Sequence, residues 1–347
     1  MKTNKKIVVA LATLLLAGAA NTVSAKSWRI HNLSAFAPNF TSINEAMESE
    51  QVQDGDTIYL DPGCILTSEQ RVTKRVTVIG PGYFMKERTY GIAFINHYLY
   101  MQAEGSKVEG VRIDHLVIAA NLVTVERCRI NNQIYASGDN AQMATIRQCY
   151  LMNSNGYIHI SGHGTNDVRS ALWRIENCLL DGYYDHSIRD LYQATIANNY
   201  IRNTYDGGVM VLERLGDCVI TDNIIVKTRE NQKNNIFGSL ATCSVQNNIL
   251  PCDEGTYPDY PYNVCMGSSD MSSVFTLESD DVFSLVADSP AAGNGSDGTD
   301  IGPTGGQFPY VASGRPYGLP WYPQTIVATA PKDGKVNVKL QIKAQDE

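Results

Sequence analysis

A six-residue pattern of aliphatic and polar positions recurs along the middle of the chain. Its frame is an aliphatic residue, two mostly polar residues, Cys or Asn, any residue, and a second aliphatic residue. Six copies follow one another: Val125–Ile130, Ile146–Leu151, Ile175–Leu180, Ile196–Ile201, Ile220–Ile225 and Val245–Leu250. Their Cys or Asn positions lie 21, 29, 21, 24 and 25 residues apart. A repeat of this length, with units too short for a helical hairpin, predicts a β-solenoid with one copy in each coil.

Stacked coils would place equivalent residues in columns about 4.8 Å apart, which is the spacing of adjacent strands. The first and last positions of the pattern would then form two aliphatic columns in the core. The polar positions would form a third column at or near a corner: Cys128, Cys149, Cys178, Asn199, Asn223 and Asn248. An Asn in such a column can bond the Asn of the next coil and also satisfy backbone groups of the turn.

The same stacking bears on the eight cysteines of the chain. Side chains in register on parallel strands point the same way, whereas a disulfide needs converging Cβ atoms roughly 3.5–4.5 Å apart. We therefore predict mostly buried free thiols for the cysteines in two columns: Cys128, Cys149, Cys178, Cys218 and Cys243. Cys252 and Cys265 lie outside these columns, in a segment rich in Pro and Tyr, and are the better candidates for a disulfide.

The first 25 residues have the pattern of an export signal. Three lysines precede the apolar run Ile7–Ala20, and Val23–Ala25 supplies the small residues typical of a cleavage point. Cleavage after Ala25 predicts an exported protein that is extracellular, at the cell surface or periplasmic. We expect no membrane-spanning segment in the mature chain, because no later stretch is long and apolar enough.

Charge narrows the class of partner. The chain has 28 basic and 36 acidic residues, and removing the three lysines of the predicted signal leaves 25 basic residues and a net charge of −11. This acidity argues against nucleic acid as a partner. It leaves an acidic polysaccharide open, because a local basic groove or a bound divalent cation can override the overall sign. Asn294–Asp300 resembles a Ca²⁺-binding loop in composition, but a turn is favoured there and no metal ligands are assigned.

Segments on both sides of the repeats are predicted to cover the ends of the solenoid. Ser42 and Glu45 suit the capping box of a short helix within residues 41–49, and Thr57–Leu60 is predicted as the first strand. Residues 303–323 are expected across the C-terminal end, and the alternating Val336–Ile342 is a strand without an assigned partner. The predicted divisions are a signal peptide (1–25), an N-terminal cap (26–56), a parallel β-helix (57–287) and a C-terminal cap with a tail strand (288–347).

Two phrases after the predicted helix carry a family resemblance. Gly55–Gly63 reads GDTIYLDPG and Lys74–Gly82 reads KRVTVIGPG, and Asn-rich coils follow them. Over about residues 40–250, this arrangement resembles the pectin-lyase-like right-handed parallel β-helix proteins. The resemblance implies an all-β, single-stranded right-handed parallel β-helix of nine or ten coils, with a short N-terminal capping helix and an irregular C-terminal cap. It implies no single function, because this fold hosts lyases, glycoside hydrolases and adhesins.

Candidate chemistry concentrates in the variable residues between copies of the pattern. Three neighbouring coils carry the densest set of His, Arg, Asp and Tyr: His159, His163, Tyr183, Tyr184, Asp185, His186, Arg189, Tyr205 and Asp206. Alternation along the strands predicts that His159 and Arg189 both point outward on neighbouring coils. A parallel stack would align the loops into one trough that matches a linear polymer.

Two reactions suit this trough. Cleavage of a uronic acid polymer by β-elimination needs a group that neutralises the carboxylate and a base that removes a proton. The candidates for these catalytic roles are Arg189, His186, His159 and Tyr205. Residues assigned to substrate binding are Tyr183, Tyr184, Asp185, Asp206 and His163. Hydrolysis would instead need two carboxylates, for which Asp185 and Asp206 are candidates. A lyase is favoured over a hydrolase.

The sequence therefore predicts a monomeric, exported protein that engages extracellular polysaccharide, either as a lyase acting on an acidic glycan or without catalysis. The non-catalytic alternative is a structural, glycan-binding or adhesion module at the cell surface. Whether the protein is an enzyme stays open at this stage. Arg189 is expected to matter more for binding than Lys227, which is assigned to a solvated loop with Arg229 and Glu230.

Overall fold

The computed structural model describes residues 25–83, 91–138, 141–153, 158–163, 170–182, 186–205, 207–279, 282–317, 321–327 and 338–343. These residues form an all-β, right-handed parallel β-helix with one short α-helix near its N-terminus. Its strands are numbered in chain order below. Single turns of 3₁₀ helix lie at Ser34–Phe36, Glu230–Gln232 and Ala312–Gly314. No helix in the described part of the chain is long and apolar enough to cross a membrane.

A 10-stranded parallel sheet runs along the solenoid with one strand in each coil. Its strands are β1 (Ser27–Ile30), β2 (Thr57–Leu60), β5 (Thr77–Ile79), β7 (Lys107–Glu109), β9 (Thr124–Glu126), β11 (Thr145–Arg147), β14 (Arg174–Glu176), β17 (Thr195–Ala197), β20 (Val219–Thr221) and β23 (Ser244–Gln246). The number of strands agrees with the nine or ten coils predicted. Thr57–Leu60 is not the first strand, because β1 precedes it and pairs with it in parallel.

A 15-stranded parallel sheet forms a second side of the solenoid. Its strands are β3 (Ile65–Leu66), β4 (Gln70–Val72), β6 (Phe94–Met101), β8 (Arg112–Ile118), β10 (Arg129–Ala136), β12 (Tyr150–Asn153), β13 (Ile160–Ser161), β15 (Leu179–Gly182), β16 (Ile188–Tyr192), β18 (Tyr200–Asn203), β19 (Leu212–Gly216), β21 (Ile224–Lys227), β22 (Leu240–Ala241), β24 (Ile249–Leu250) and β25 (Val264–Cys265). β10 pairs with both β12 and β13. From β12 to β22, a loop therefore divides the part of each coil that lies in this sheet into a first and a second strand.

The predicted columns stack in register. Val125, Ile146 and Ile175 pair on successive coils and are fully buried. In the polar column, the backbone N–H of Asn199 donates to Asn223 Oδ1 at 3.0 Å, and the same bond recurs between Asn223 and Asn248. Asn263 adds a further member, because its Oδ1 accepts the backbone N–H of Asn248 at 3.0 Å. The polar column is thus a hydrogen-bonded ladder.

The cysteines are free thiols, as predicted for the two columns. Cys128, Cys149 and Cys178 are fully buried, and each thiol lies 3.2–3.3 Å from the carbonyl oxygen two residues earlier. Burial raises the pKa of the Cys128 and Cys149 thiols well above the ordinary value. The sulfur atoms of Cys252 and Cys265 lie 3.1 Å apart without a covalent bond between them.

The predicted N-terminal helix is α1 (Ile43–Glu48). Its N-cap is Ser42, whose Oγ accepts the backbone N–H of Glu45 at 3.1 Å. The Glu45 carboxylate in turn accepts the backbone N–H of Thr41 at 2.7 Å, one residue before the N-cap. Ile43 and Met47, on the inner side of the helix, belong to the buried core, so α1 covers the open end of the first coils.

The C-terminal segment does not lie across the end of the solenoid as expected. Residues 294–317, which we call the C-terminal strap, run back along the corner between the two sheets. The contacts of the strap pass from late coils to early ones: Asn294 with Asn247, Ser296 with Asp222, Asp300 with Asn198, Pro303 with Asn177, Pro309 with Gln148, and Tyr317 with Arg127. These six corner residues have φ between +50° and +57°. The corner therefore offers the strap one polar side chain per coil.

The end of the solenoid is covered by a different segment. Tyr257 and Tyr260, between β24 and β25, pack against the last residues of the core. The Tyr257 hydroxyl accepts the backbone N–H groups of Ile236 and Phe237 at 2.9 and 3.1 Å. The strand expected in Val336–Ile342 is β29 (Val338–Lys343), which pairs in an antiparallel hairpin with β28 (Trp321–Val327) rather than with the solenoid edge.

A second apolar cluster covers part of the 15-stranded sheet from outside. The hairpin of β26 (Phe275–Ser279) and β27 (Val282–Leu285) packs over the outward side chains of the first strands of each coil. Those side chains include Tyr150, Leu179 and Tyr200, which are about 1% exposed. The second strands of each coil, from β13 onward, contribute no residue to this cluster in the described part of the chain. Their outer face is where the candidate site lies.

Candidate functional site

One column of outward side chains crosses the second part of the 15-stranded sheet. Register pairs its members directly on successive strands: Arg71, Tyr100, Val117, Tyr135, Ser161, Arg189 and Glu213. The residues before them on their strands, such as Ile134 and Ile188, point into the buried core. At about 4.8 Å per strand, this central column spans roughly 29 Å. It forms a straight row of side chains parallel to the solenoid axis.

The first half of the central column begins at Arg71 and carries two tyrosines, Tyr100 and Tyr135. Tyr98, beside it, stacks on His115 with ring centroids 4.4 Å apart and lies 6.0 Å from Tyr100. Tyr100 and Tyr135 flank the fully buried Val117. Burial and the neighbouring tyrosines raise the pKa of Tyr135 to about 12, so its hydroxyl stays protonated and able to donate at neutral pH. The candidate site predicted from the sequence did not include these rings, although the alternation of Tyr98 and Tyr100 was a usable signal.

The second half of the central column is charged. Arg189 points outward as predicted, with its side chain 29% exposed and its Nε 3.2 Å from Asp190 Oδ2. That Nε is buried and makes no hydrogen bond. The Asp190 carboxylate also accepts two hydrogen bonds from Arg214, at 2.6 and 2.7 Å. Glu213, next to Arg189 in the column, completes a group of alternating charges.

His159 does not lie on the open face, contrary to the prediction. Its side chain is only 1% exposed, and Asp181 is its polar neighbour. Burial lowers its pKa, so the ring is neutral at physiological pH. The ring lies against Gly182, where a Cβ atom would be 2.2 Å from His159 Cε1. The missing side chain at Gly182 thus leaves the space that the imidazole fills.

Lys227 is also placed differently from the prediction. It is the last residue of β21 rather than part of a solvated loop, and it is fully buried. Its Nζ donates to Asn203 Oδ1 at 2.8 Å and to the Val209 carbonyl oxygen at 3.1 Å. Asn203 is the register neighbour of Lys227 on the preceding strand. Lys227 therefore joins two coils beneath the surface and offers no ammonium to solvent.

Of the remaining predicted site residues, the structure describes His186, Tyr205 and His163. His186 is half-buried with Nδ1 2.7 Å from the Met210 carbonyl oxygen, and the half-buried Tyr205 donates its backbone N–H to Asn203 Oδ1 at 3.2 Å. His163 is exposed. The other four predicted binding residues lie outside the described residues: Tyr183, Tyr184, Asp185 and Asp206. The structure thus brings Arg189 together with a tyrosine column and leaves His159 beneath the surface.

Within the described residues, no group of three or more His, Cys, Asp or Glu side chains could hold a metal ion. Asn294–Asp300, the segment with the composition of a Ca²⁺ loop, begins the strap as a series of turns. Asp300 Oδ1 accepts the backbone N–H of Gly293 at 3.0 Å, and Asp297 Oδ1 accepts that of Thr299 at 2.9 Å. The carboxylates of this segment therefore serve its own turns.

Replacing Gly182 with alanine is expected to destabilise the protein by about 1–3 kcal/mol, because the new methyl group would overlap the His159 ring. The cost should fall in a His159→Ala background, where the ring is absent. Urea denaturation of the two single variants and the double variant measures this coupling. Gly208→Ala is the matched control, since a Cβ at Gly208 meets no atom within 4 Å. Equal costs of Gly182→Ala in both backgrounds would contradict the proposed packing.

Comparisons with known proteins identify no family for this chain. No protein-family model matches the chain, and no curated protein matches it in sequence. Among solved structures, a GH136 lacto-N-biosidase from Eubacterium ramulus is similar over 69% of this chain, with 10% identity and a TM-score of 0.45. This chain spans 57% of the length of that enzyme.

A second solved structure is a pectate lyase from Bacillus sp. N165 in complex with trigalacturonate. It is similar over 76% of this chain and 89% of its own, with 13% identity and a TM-score of 0.40. The two long parallel sheets, with one strand or strand pair per coil, give the protein a right-handed parallel β-helix fold.

Proposed function

We propose that the protein is exported and binds an extracellular polysaccharide along the central column. The observation that carries this proposal is the straight row of side chains, roughly 29 Å long, on the part of the sheet outside the second apolar cluster. A linear glycan presents a repeating unit of similar length to the coil spacing. Successive sugar residues would therefore meet successive coils.

The chemistry of the column suits sugars. Tyr98, Tyr100 and Tyr135 are partly exposed and offer ring surface on which the apolar face of a sugar can stack. Arg189 offers guanidinium N–H donors, and Ser161 and Glu213 offer acceptors, for sugar hydroxyls. Stacking at one end and hydrogen bonding at the other would hold an extended chain in one register. Binding without catalysis is the function that the described residues support best.

A second candidate function is β-elimination on an acidic glycan, because the partly exposed guanidinium of Arg189 lies on the central column. In that case Arg189 would neutralise the uronate carboxylate, and His186 or Tyr205 would remove the proton. The buried and neutral His159 is poorly placed for either role. Incubation with acidic polysaccharides, with and without Ca²⁺, would reveal this activity as new absorbance from unsaturated uronates. Binding without such absorbance favours the non-catalytic function.

Replacing Arg189 with alanine is expected to weaken glycan binding by about 1–3 kcal/mol, the usual scale for a hydrogen bond to a charged group. Affinity electrophoresis or calorimetry against a panel of neutral and acidic polysaccharides measures the loss. Arg174→Ala is the matched control, because Arg174 lies on the 10-stranded sheet and also pairs with a carboxylate, that of Glu176. Lys227 is unsuitable as a control because it is buried. Equal losses of glycan affinity in the two arginine variants would rule out the central column as the binding site.

A further inference from the structure

A pair of arginines lies elsewhere on the 15-stranded sheet, on the first part of β8 and β10. Arg112 and Arg129 are register neighbours on these adjacent strands and are half-buried. Parallel neighbours have Cα atoms about 4.8 Å apart, so two positive side chains start from nearly the same place. Arg129 is separated along β10 from Tyr135 by six residues, or about 20 Å. The pair is therefore distinct from the central column.

The pair lacks the carboxylate partners that most of the other described arginines have. Among the residues that the structure describes, eight arginines have a carboxylate oxygen at 3.2 Å or closer: Arg29, Arg71, Arg127, Arg147, Arg174, Arg189, Arg202 and Arg214. Neither Arg112 nor Arg129 forms an ion pair with a carboxylate in the described part of the chain. The nearby Asp114 lies 3.3 Å from both His115 Nδ1 and Asn131 Nδ2. In a protein with more acidic than basic residues, two adjacent arginines without a direct ion pair to a carboxylate are unusual.

The surroundings hold the two guanidinium groups in place without neutralising them. Arg112 lies over the Phe94 ring at 4.5 Å, and its Nε donates to Asn131 Oδ1 at 3.2 Å. Arg129 lies over the Tyr150 ring at 5.3 Å, and its Nε is buried without a hydrogen-bond partner. Aromatic rings at both ends thus position the pair by cation–π contacts. Burial and the charge of Arg129 lower the pKa of Arg112, and the charge of Asp114 opposes them only in part.

We propose that Arg112 and Arg129 form a binding site for an oxyanion, such as a carboxylate or a sulfate group. Each guanidinium presents planar N–H donors that match the oxygens of such a group. An oxyanion between them would balance both charges and give the buried Nε of Arg129 an acceptor. The group can belong to a free ion or to an acidic sugar, since both present the same oxygens. The proposal stands independently of glycan binding at the central column.

Thermal unfolding of the full chain tests the site, with sodium sulfate, galacturonate or an acidic oligosaccharide added at constant ionic strength set with NaCl. Sulfate is expected to raise the Tm of the natural protein by several degrees, and Arg129→Gln or Arg112→Gln should abolish that rise. Arg174→Gln, which removes a paired arginine from the other sheet, should retain it. A larger rise with galacturonate or the oligosaccharide than with sulfate would assign the oxyanion to an acidic sugar.

Two outcomes would contradict the proposed oxyanion site. One is no specific rise in Tm with any of the three probes, and the other is the same rise in Tm in Arg129→Gln and Arg112→Gln as in the natural protein. Because glutamine keeps a polar, similarly long side chain, the variants are expected to fold, and circular dichroism checks this. If the natural protein binds polysaccharide but shows no oxyanion effect, the site fails while the proposed function stands. If oxyanions bind but polysaccharides do not, the proposed function fails while the oxyanion site stands.

Discussion

Replacing Asn223 with alanine is expected to lower the free energy of unfolding by about 3–5 kcal/mol, since it removes several buried hydrogen bonds at once. Asn223 is fully buried, and its Oδ1 accepts both the backbone N–H and the Nδ2 of Asn199 at 3.0 Å. Its Nδ2 lies 2.9 Å from Asn248 Oδ1 and from the carbonyl oxygens of Ile196 and Thr221. Alanine would leave donors and acceptors on three coils without partners.

Urea denaturation followed by circular dichroism measures this loss. Asn223→Cys is the informative comparison, because cysteine occupies the same column in three earlier coils and is tolerated there. It should cost less than alanine, since the thiol fills space and donates one weak hydrogen bond. Asn96→Ala, at an exposed position, should change stability little. A loss below about 1 kcal/mol in Asn223→Ala would mean that the ladder does not stabilise the fold.

Replacing Arg127 with methionine is expected to cost about 3–5 kcal/mol, because it removes one partner from a buried network of charges. Arg127 is 1% exposed, and its Nη1 lies 2.8 Å from Glu109 Oε1. Its Nε donates to Gln148 Oε1 at 3.0 Å, and its Nη2 lies 3.4 Å from Glu126 Oε1. Tyr317 of the strap lies over the guanidinium at 3.3 Å. Methionine would keep the packing and leave buried carboxylates with fewer partners.

Arg174→Met provides the comparison for this variant. Arg174 also pairs with a glutamate on the 10-stranded sheet, but its side chain is 57% exposed. Exposed ion pairs contribute about 0–1 kcal/mol, so its loss should be small. Urea denaturation of both variants measures the two losses in the free energy of unfolding. Similar small losses would show that the network around Arg127 is solvated rather than buried.

The fold could be predicted from the sequence because its determinants are local and repeated. The column of Asn199, Asn223 and Asn248 follows from spacing alone, and the outward direction of Arg189 follows from alternation along one strand. The position of His159 could not be predicted in this way. The ring of His159 is buried because Gly182, one coil later, has no side chain to occupy the same space. This packing depends on two separate segments and cannot be predicted from either one alone.

The strap and the arginine pair were missed for related reasons. Asn177 contacts Pro303 across 126 residues, and no repeat connects the two segments. Arg112 and Arg129 become neighbours only once the register of β8 and β10 is known. The spacing of the six-residue pattern does not reveal that register, because β8 lies before its first copy. Sequence periodicity therefore located the coils but not the contacts that cross them.

The strap has a consequence for how the molecule unfolds. In a solenoid, each coil contacts only its neighbours, so terminal coils can fray one at a time. Here a single segment is bonded in turn to Asn247, Asp222, Asn198, Asn177 and Gln148. Opening one of these coils requires releasing the segment from its partners on the others. Amide hydrogens along this stretch should therefore exchange with solvent through one shared opening, as in a globular domain, instead of progressively faster toward the end of the stack.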